Sequence, residues 1–464
     1  MPNLSGGVFV RQRDPHPGER FARLSGLVLA FVLAASGFGC RVVERGEVAA
    51  EQEPSPAKAL DGLAEKYVKL VLALGEHDPD YVDAYYGPPQ WREQVKAEKK
   101  PAAAVKEAAL PVIEKLEGLD LSGQEEMIRL RRDYLLRQLQ ALVARIDILG
   151  GKKMTFDEES KALYDAVAPS YPEGHFREIL DKLDRALPGK GPLPERYEKF
   201  KRGFVIPREK LDAVFQAAIR EARRRTLEHL QLPEKESFTV EYVTGKSWSG
   251  YNWYQGGARS LIQINTDLPV FIDRAVDLAA HEGYPGHHVY NVLLEQHLVR
   301  ERGWQEFTVY PLFSPQSLIA EGSANFGIEV AFPGEERLRF EREALFPLAG
   351  LDPRGAADYH QVMDLVQALD YARNEAARRY LDGAIDAGQA AEWLTRFAMM
   401  LPEQARQRVR FMDQYRSYVI NYNLGKDLVR SHIEKRGGTE EQPQKRWEEF
   451  AKLLSSPRLP SSLD

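Results

Sequence analysis

The sequence predicts a mainly α-helical protein with one small antiparallel β-sheet, and two observations carry that prediction. Over most of the chain, apolar residues recur at three- and four-residue steps, which places them on one face of a helix. Strict alternation of apolar and polar residues is confined to 237–269, where it marks strands. A chain of 464 residues can bury a large core, as one big domain or two.

The elements follow in order. Residues 24–35 form an apolar run behind Arg20 and Arg23, too short to span a membrane comfortably but suited to a signal-peptide core. Cys40, the only cysteine, follows Gly37-Phe38-Gly39 and resembles the acylated cysteine of a bacterial lipobox, although Leu is usual where Gly37 stands. Residues 1–40 therefore read as a lipoprotein leader, long before its apolar core, and 41–57 as a polar tether rich in Glu, Pro and Ala. A lipid on Cys40 would be the protein's only attachment to a membrane. With one cysteine, no intrachain disulfide can form.

From residue 58, Leu60, Leu63, Tyr67, Leu70 and Leu74 trace a helical stripe, ended by the turn signal Tyr85-Tyr86-Gly87-Pro88-Pro89. Ser122 with Glu125, and Thr155 with Glu158, have the spacing of capping boxes, the first opening a helix that runs to Gly150-Gly151. Residues 189–194 form a loop, and Pro207 opens a helix to about residue 230 with Leu211, Val214, Phe215 and Ile219 inward. The run Arg220, Arg223, Arg224, Arg225 reads as a solvated helix face. Phe238, Val240 and Tyr242, then Leu261, Ile262 and Ile264, mark strands of the small sheet. Beyond it the pattern is helical over 315–331, 335–345, 356–387, 390–400 and 403–435. We divide the exported chain into an N-terminal helical region, 58–205, and a region carrying the chemistry, 206–464.

Net charge is −6, and the chain beyond the leader is more acidic still. No strong basic excess or nucleic-acid-binding motif is present, so a nucleic-acid partner is not expected.

Three of the ten histidines fall in His281-Glu282-Gly283-Tyr284-Pro285-Gly286-His287-His288. Imidazoles are good zinc ligands, and a carboxylate beside them can act as a base toward water. On a straight helix His281 and His287 would lie about 9 Å apart along the axis and on different faces. Pro285 and Gly286 forbid a straight helix there, and a bulged or broken turn could return His287 to the second ligand position. Histidines that merely cap a helix C-terminus are the simpler reading. Glu321 weighs against it. This acid sits among Leu318, Ile319, Ala320, Gly322 and Ala324, and a buried carboxylate needs a partner or a metal. Asn325, one turn on, could bond a ligating histidine or cap local backbone, and Glu329 is a weaker candidate of the same kind.

His281-Glu282-x-x-Pro285-Gly286-His287-His288, with Glu321-Gly322 on a later helix and Tyr422-Asn423-Leu424-Gly425 near the end, resembles a bacterial domain-of-unknown-function family. That family carries an HExxPGHH motif and is grouped with the gluzincin-type zinc metallopeptidases. The resemblance runs from about Tyr85 to about Lys435, and departs where Ser323 stands in place of a usual large aromatic. It implies a large multi-helical metallopeptidase-like domain whose small sheet lies next to the active site, with an edge strand that pairs with extended substrate. It also implies a zinc ion held by His281, His287 and Glu321, with His287 favoured over His288 as the second histidine. Glu282 would be the general base. Tyr422 or His288 would steady the oxyanion, with Tyr418 as a rival to Tyr422 and a core tyrosine as the plainer reading of either. Arg416 could hold a substrate carboxylate or pair with an acid. Trp248, Tyr251, Trp253 and Tyr254 could line a pocket or belong to the core. The expected function is zinc-dependent hydrolysis of a peptide or related amide in the cell envelope. The alternative is an inactive, lipid-anchored binding protein.

Overall fold

A computed structural model describes residues 56–463 apart from Ser247. The leader, Cys40 and the tether up to residue 55 lie outside the described residues. The helices follow the apolar periodicity. Helix Pro56–Gly75 buries Leu60, Leu63, Tyr67, Leu70 and Leu74. Thr155 caps helix Phe156–Tyr164 reciprocally: its hydroxyl accepts from the Glu158 amide, and the Glu158 carboxylate accepts from the Thr155 amide. The other expected box is absent. Ser122 directs its amide and hydroxyl to Asp120, and the helix starts later, as Glu126–Leu149. The helix expected from Pro207 is preceded by a 3-10 turn and spans Leu211–Leu227, burying Leu211, Val214 and Phe215.

Helix Pro315–Ala331 has the expected bounds, but two longer helices are each broken in two. Residues 356–387 divide into Ala356–Gln367 and Tyr371–Leu381. Residues 403–435 divide at Arg416, whose φ is 52°, between helices Pro402–Tyr415 and Ile420–Lys435. The second break has a tertiary cause. The buried Glu159 carboxylate accepts from Arg416 Nε, from the Ser417 amide and from the Ser417 hydroxyl, holding the chain in a 3-10 turn, Arg416–Val419. A further helix that the periodicity did not reveal, Pro443–Leu454, buries Trp447, Phe450, Leu453 and Leu454.

The described residues form one compact unit, mainly helical. Its main sheet has three strands, β2 (Ser237–Val243), β3 (Gly250–Gly256) and β4 (Arg259–Asn265), in the order β2-β4-β3. The β3–β4 hairpin is antiparallel, and β2 joins β4 in parallel, leaving β3 at an edge. A second, antiparallel pair joins β1 (Val82–Tyr85) to β5 (Val309–Pro311), which closes the N-terminal helices onto the rest of the unit. Among the described residues no helix is long and apolar enough to cross a membrane.

One helix crossing sets up the site. Helices Pro315–Ala331 and Ile420–Lys435 meet backbone to backbone at Gly322 and Gly425: a Cβ on Gly322 would lie 2.4 Å from the Gly425 carbonyl group. Only glycine permits that approach. It places Glu321 beside the tyrosines at the start of the second helix.

Candidate active site

The helix entering the motif is α-helical over Asp273–Leu278 and then widens into a π turn, Ala279–Gly283, which carries His281 and Glu282. π-bulges are frequent at functional sites because the extra residue re-aims side chains without ending the helix. The chain then folds back on the helix end: the Gly286 amide donates to the Ala280 carbonyl at 2.8 Å, and a new helix, His287–Leu294, begins. The fold-back requires Gly286, since a Cβ there would lie 1.9 Å from the His281 carbonyl oxygen. This bulged turn gives the insertion of Pro285 and Gly286 its geometry, and His287 returns to His281.

Glu321 arrives from helix Pro315–Ala331. The Nε2 atoms of His281 and His287 are 3.1 Å apart, and Glu321 Oε2 lies 3.4 Å and 3.8 Å from them. A point about 2.0 Å from all three atoms therefore exists, within the zinc–nitrogen and zinc–oxygen range. Glu321 Oε2 is buried and accepts no hydrogen bond from any described residue, whereas Oε1 accepts from the Tyr418 hydroxyl at 2.9 Å. Burial pushes the Glu321 pKa up, but the two imidazoles outweigh it and hold the carboxyl well below its usual range. Burial likewise depresses His287, and the charges of Glu321, Glu282 and Asp83 outweigh it, so its basicity is raised. Two imidazoles and a bare carboxylate oxygen converge under a surplus of negative charge. The arrangement fits a divalent cation.

Glu282 is buried, and its carboxylate faces edge strand β3, where a Cβ on Gly250 would come within 3.0 Å of Oε1. The Asn252 amide donates to the Glu282 carbonyl at 2.7 Å and ties the π turn to the same strand. Tyr422 is 38% exposed although it stands among buried neighbours. Loss of hydration, then the Glu321 charge, push its phenol pKa up, so it remains a proton donor. Its ring lies 5.8 Å from that of Tyr418.

The structure corrects some expectations and decides between the alternatives left open for others. His288 does not join the cluster. It is fully buried, with Nδ1 bonded to the Ser260 hydroxyl at 2.9 Å and Nε2 to Glu236 at 3.0 Å, so neither nitrogen is available to a substrate oxyanion. Glu236 also accepts from Tyr284 and from Arg223, which reaches it from the exposed face of its helix. Tyr418 is committed to Glu321. Asn325 donates to the carbonyls of Glu321 and Tyr422 rather than to a histidine. Glu329 pairs with Arg430 and Lys426, and Arg416 pairs with Glu159. In the aromatic run, Tyr254 is buried against Glu295, Trp253 donates to Gln263, and Tyr251 donates to Asp83.

Asp83 was not legible in the sequence. It stands on β1, which pairs with β5, more than 200 residues away, and receives the Tyr251 hydroxyl from β3. Tyr310 on β5 is a second such residue, with a phenol pushed up by burial and then by the charges of Glu321 and Asp83.

No family model matches the sequence, and no curated protein matches it. The resemblance therefore rests on the motif residues themselves. Among solved structures, a Colwellia psychrerythraea protein provisionally described as a lipoprotein aligns at a TM-score of 0.48 and 16% identity, over 77% of this chain and 68% of that one. The M32 carboxypeptidase from Deinococcus radiodurans aligns at 0.43 and 13%, over 85% and 89%. A provisionally described lipoprotein of unknown function from Shewanella oneidensis aligns at 0.42 and 13%, over 80% and 78%. At these scores the likenesses assign no activity.

Proposed function

We propose that the protein is a zinc-dependent hydrolase of peptide or related amide bonds, exported to the cell envelope. The observation that carries this reading is the orphaned, buried Oε2 of Glu321 held 3.4 Å and 3.8 Å from two facing imidazole nitrogens. Two histidines and one carboxylate leave a fourth tetrahedral position open, as a catalytic zinc requires. The ion, when bound, would acidify water and polarise a carbonyl.

The protein's own groups would do the rest. His281, His287 and Glu321 hold the ion, and Tyr418 fixes the orientation of the Glu321 carboxylate. Glu282 is positioned to take a proton from the attacking water and return it to the leaving amine, so that water adds to the carbonyl and the C–N bond breaks with no net proton change. The Tyr422 phenol, accessible and protonated, can donate to the carbonyl oxygen as it gains charge. Edge strand β3, beside Glu282, offers backbone groups to an extended peptide. A site that only held metal, or only bound a ligand, would have no use for a base at Glu282, and this favours the enzyme over the inactive binding protein.

Elemental analysis of protein purified without chelator, paired with digestion of a peptide library, tests the reading. About one zinc per chain and discrete cleavage are expected. Absence of any transition metal would remove the enzymatic interpretation. For location, lipid on Cys40 predicts that Cys40→Ser moves the protein out of the membrane fraction. Wild-type protein found wholly soluble in the cytoplasm would overturn both export and anchoring.

A further inference from the structure

Edge strand β3 is closed at one end. The Asn265 amide donates to the Ser249 carbonyl at 2.9 Å, one step before the Gly250–Ile264 pair of the β3–β4 ladder. Bonded and unbonded pairs alternate in an antiparallel ladder, so the N–H and C=O groups of Gly250, Asn252 and Tyr254 point away from β4, to the edge. Gly250 is the end beside the base, where a Cβ would lie 3.0 Å from Glu282 Oε1. At the other end β1 covers the edge. The Tyr86 ring meets the Tyr254 ring edge-on at 5.3 Å, and a Cβ on Gly256 would lie 3.0 Å from Tyr86 Cβ. Between these two points the Tyr251 hydroxyl donates to Asp83 and bridges β3 to β1. The two strands belong to separate sheets, so side chains carry the contact between them.

A bulge places Asp83. Val82 pairs with Pro311 and Ala84 with Tyr310, so Asp83 is an extra residue in β1 against a single step of β5. Bulges re-aim a side chain and interrupt the ladder. Here the half-buried carboxylate is turned toward β3 and meets it one residue after Gly250. Its charge acts on His287, on the metal side of the strand. Gly250 and Tyr254 are four residues apart in β3, about 13 Å of strand. A peptide laid along the edge therefore runs only about three residues past the bond beside Glu282 before it meets Tyr86. Because β3 runs toward the closed end, an antiparallel peptide presents its N-terminus there. A parallel peptide would set its terminal carboxylate against Asp83, and opposed like charges are unfavourable.

We propose that Asp83 binds the free α-ammonium group of the substrate, and that the site removes a short N-terminal fragment, about one to three residues long, from an extended peptide. This names a substrate class for the hydrolase described above, peptides with a free N-terminus, and it rests on that reading. An ammonium offers three donors, and a carboxylate that accepts from Tyr251 has further lone-pair positions to receive them. Water adds across the amide; the fragment leaves with a new carboxylate and the remainder with a new ammonium, with no net proton change. The remainder is again a peptide with a free N-terminus, so trimming can repeat.

Calorimetry on zinc-loaded Glu282→Gln protein measures this subsite without turnover. The probes are one pentapeptide in three forms: free at both ends, N-acetylated, and C-terminally amidated. The free and amidated forms should bind alike, and about 10–100-fold tighter than the acetylated form, the range of a hydrogen bond to a charged group. Asp83→Asn in the same background should bring free and acetylated peptide together with zinc content unchanged. Digests by wild-type protein, read by mass spectrometry, should show a ladder trimmed from the N-terminus. Equal binding of free and acetylated peptide overturns the proposal, as does a preference that survives Asp83→Asn. Weaker binding on C-terminal amidation would put the peptide's carboxylate in the site and also overturns it, as do internal cuts in N-acetylated peptide made as readily as cuts in the free form. Should Asp83→Asn protein not fold by circular dichroism, the contrast between free and acetylated peptide decides alone. If wild-type protein cleaves no peptide and the Asp83-dependent preference holds, the hydrolase reading fails and the ammonium site stands.

Discussion

Two assemblies of imidazole and carboxylate lie side by side, and adjacent residues enter different ones. His287 faces His281 and Glu321. His288 faces Glu236 and Ser260. In the second assembly every strong polar group is satisfied: Glu236 accepts from His288, Tyr284 and Arg223, and both nitrogens of His288 are bonded. In the first, a buried carboxylate oxygen has no donor, and two imidazoles face each other at 3.1 Å, where at most one can donate. Buried polar groups are nearly always paired. The unsatisfied set marks the place where a ligand belongs, and the satisfied set is the frame that holds the loop between the two helices. Residue type does not separate the two assemblies. Hydrogen-bond satisfaction does.

The sharpest way to break this comparison is to truncate each histidine. His287→Ala, like His281→Ala or Glu321→Ala, should abolish zinc binding and all hydrolysis. His288→Ala should keep most of the metal and instead lose about 1–3 kcal/mol of stability, because Glu236 and Ser260 lose a buried partner. Metal content by mass spectrometry and thermal melting separate these outcomes. The reverse result, zinc lost with His288 and kept without His287, would exchange the roles of the two assemblies.

Next in size is Glu282→Gln, which keeps the shape of the side chain and removes its basicity. Hydrolysis should fall at least ~10²-fold with zinc and fold retained. Full activity in this variant would dismiss the proposed base. Tyr418→Phe removes a hydrogen bond that orients Glu321, and zinc affinity measured by competition with a chelator should drop about 10–100-fold. An unchanged affinity would make Tyr418 a packing residue only. Gly322→Ala forces a methyl group into the Gly425 backbone and should cost about 1–3 kcal/mol in denaturant unfolding, with weaker zinc binding in its train.

The satisfied assembly makes its own prediction on pH. Burial raises the Glu236 carboxyl, but hydrogen bonds from His288, Tyr284 and Arg223 outweigh that and lower its pKa from 4.5 to about 2. A carboxyl depressed in the folded state contributes stability that is present above its unfolded pKa and lost as pH falls toward the folded one. The melting temperature should therefore decline between about pH 4.5 and 2, and Glu236→Gln should flatten that limb while lowering stability near neutrality. An acid limb of the same slope in both proteins would place the titration elsewhere.

Much of this was legible in the residues. The stripe Leu60, Leu63, Tyr67, Leu70, Leu74 is buried as its spacing requires, and helix Pro315–Ala331 has the bounds that Pro315 and the apolar run set. The convergence of His281, His287 and Glu321 followed from three local signals: histidine spacing, a Pro-Gly pair that bars a straight helix, and an acid in apolar company. Long helices were overextended for a definite reason. Periodicity reports which face of a helix is buried and is silent about a side chain that arrives from elsewhere to interrupt it, as Glu159 does at Arg416 and Ser417.

The sequence by itself determined the mainly helical class, the stretch that holds the three-stranded sheet, and the candidate ligand set, because each depends on local residue order; the β1–β5 pair outside that stretch was not foreseen. Tertiary structure alone decided the rest. Gly322 against Gly425 brought Tyr418 to Glu321, and the pairing of β1 with β5 brought Asp83 toward His287. It also decided that of two adjacent histidines one joins the cluster of His281 and Glu321 and the other is a strut. Such outcomes depend on which buried polar atoms find partners across the fold, and that is settled by contacts between segments far apart in the chain.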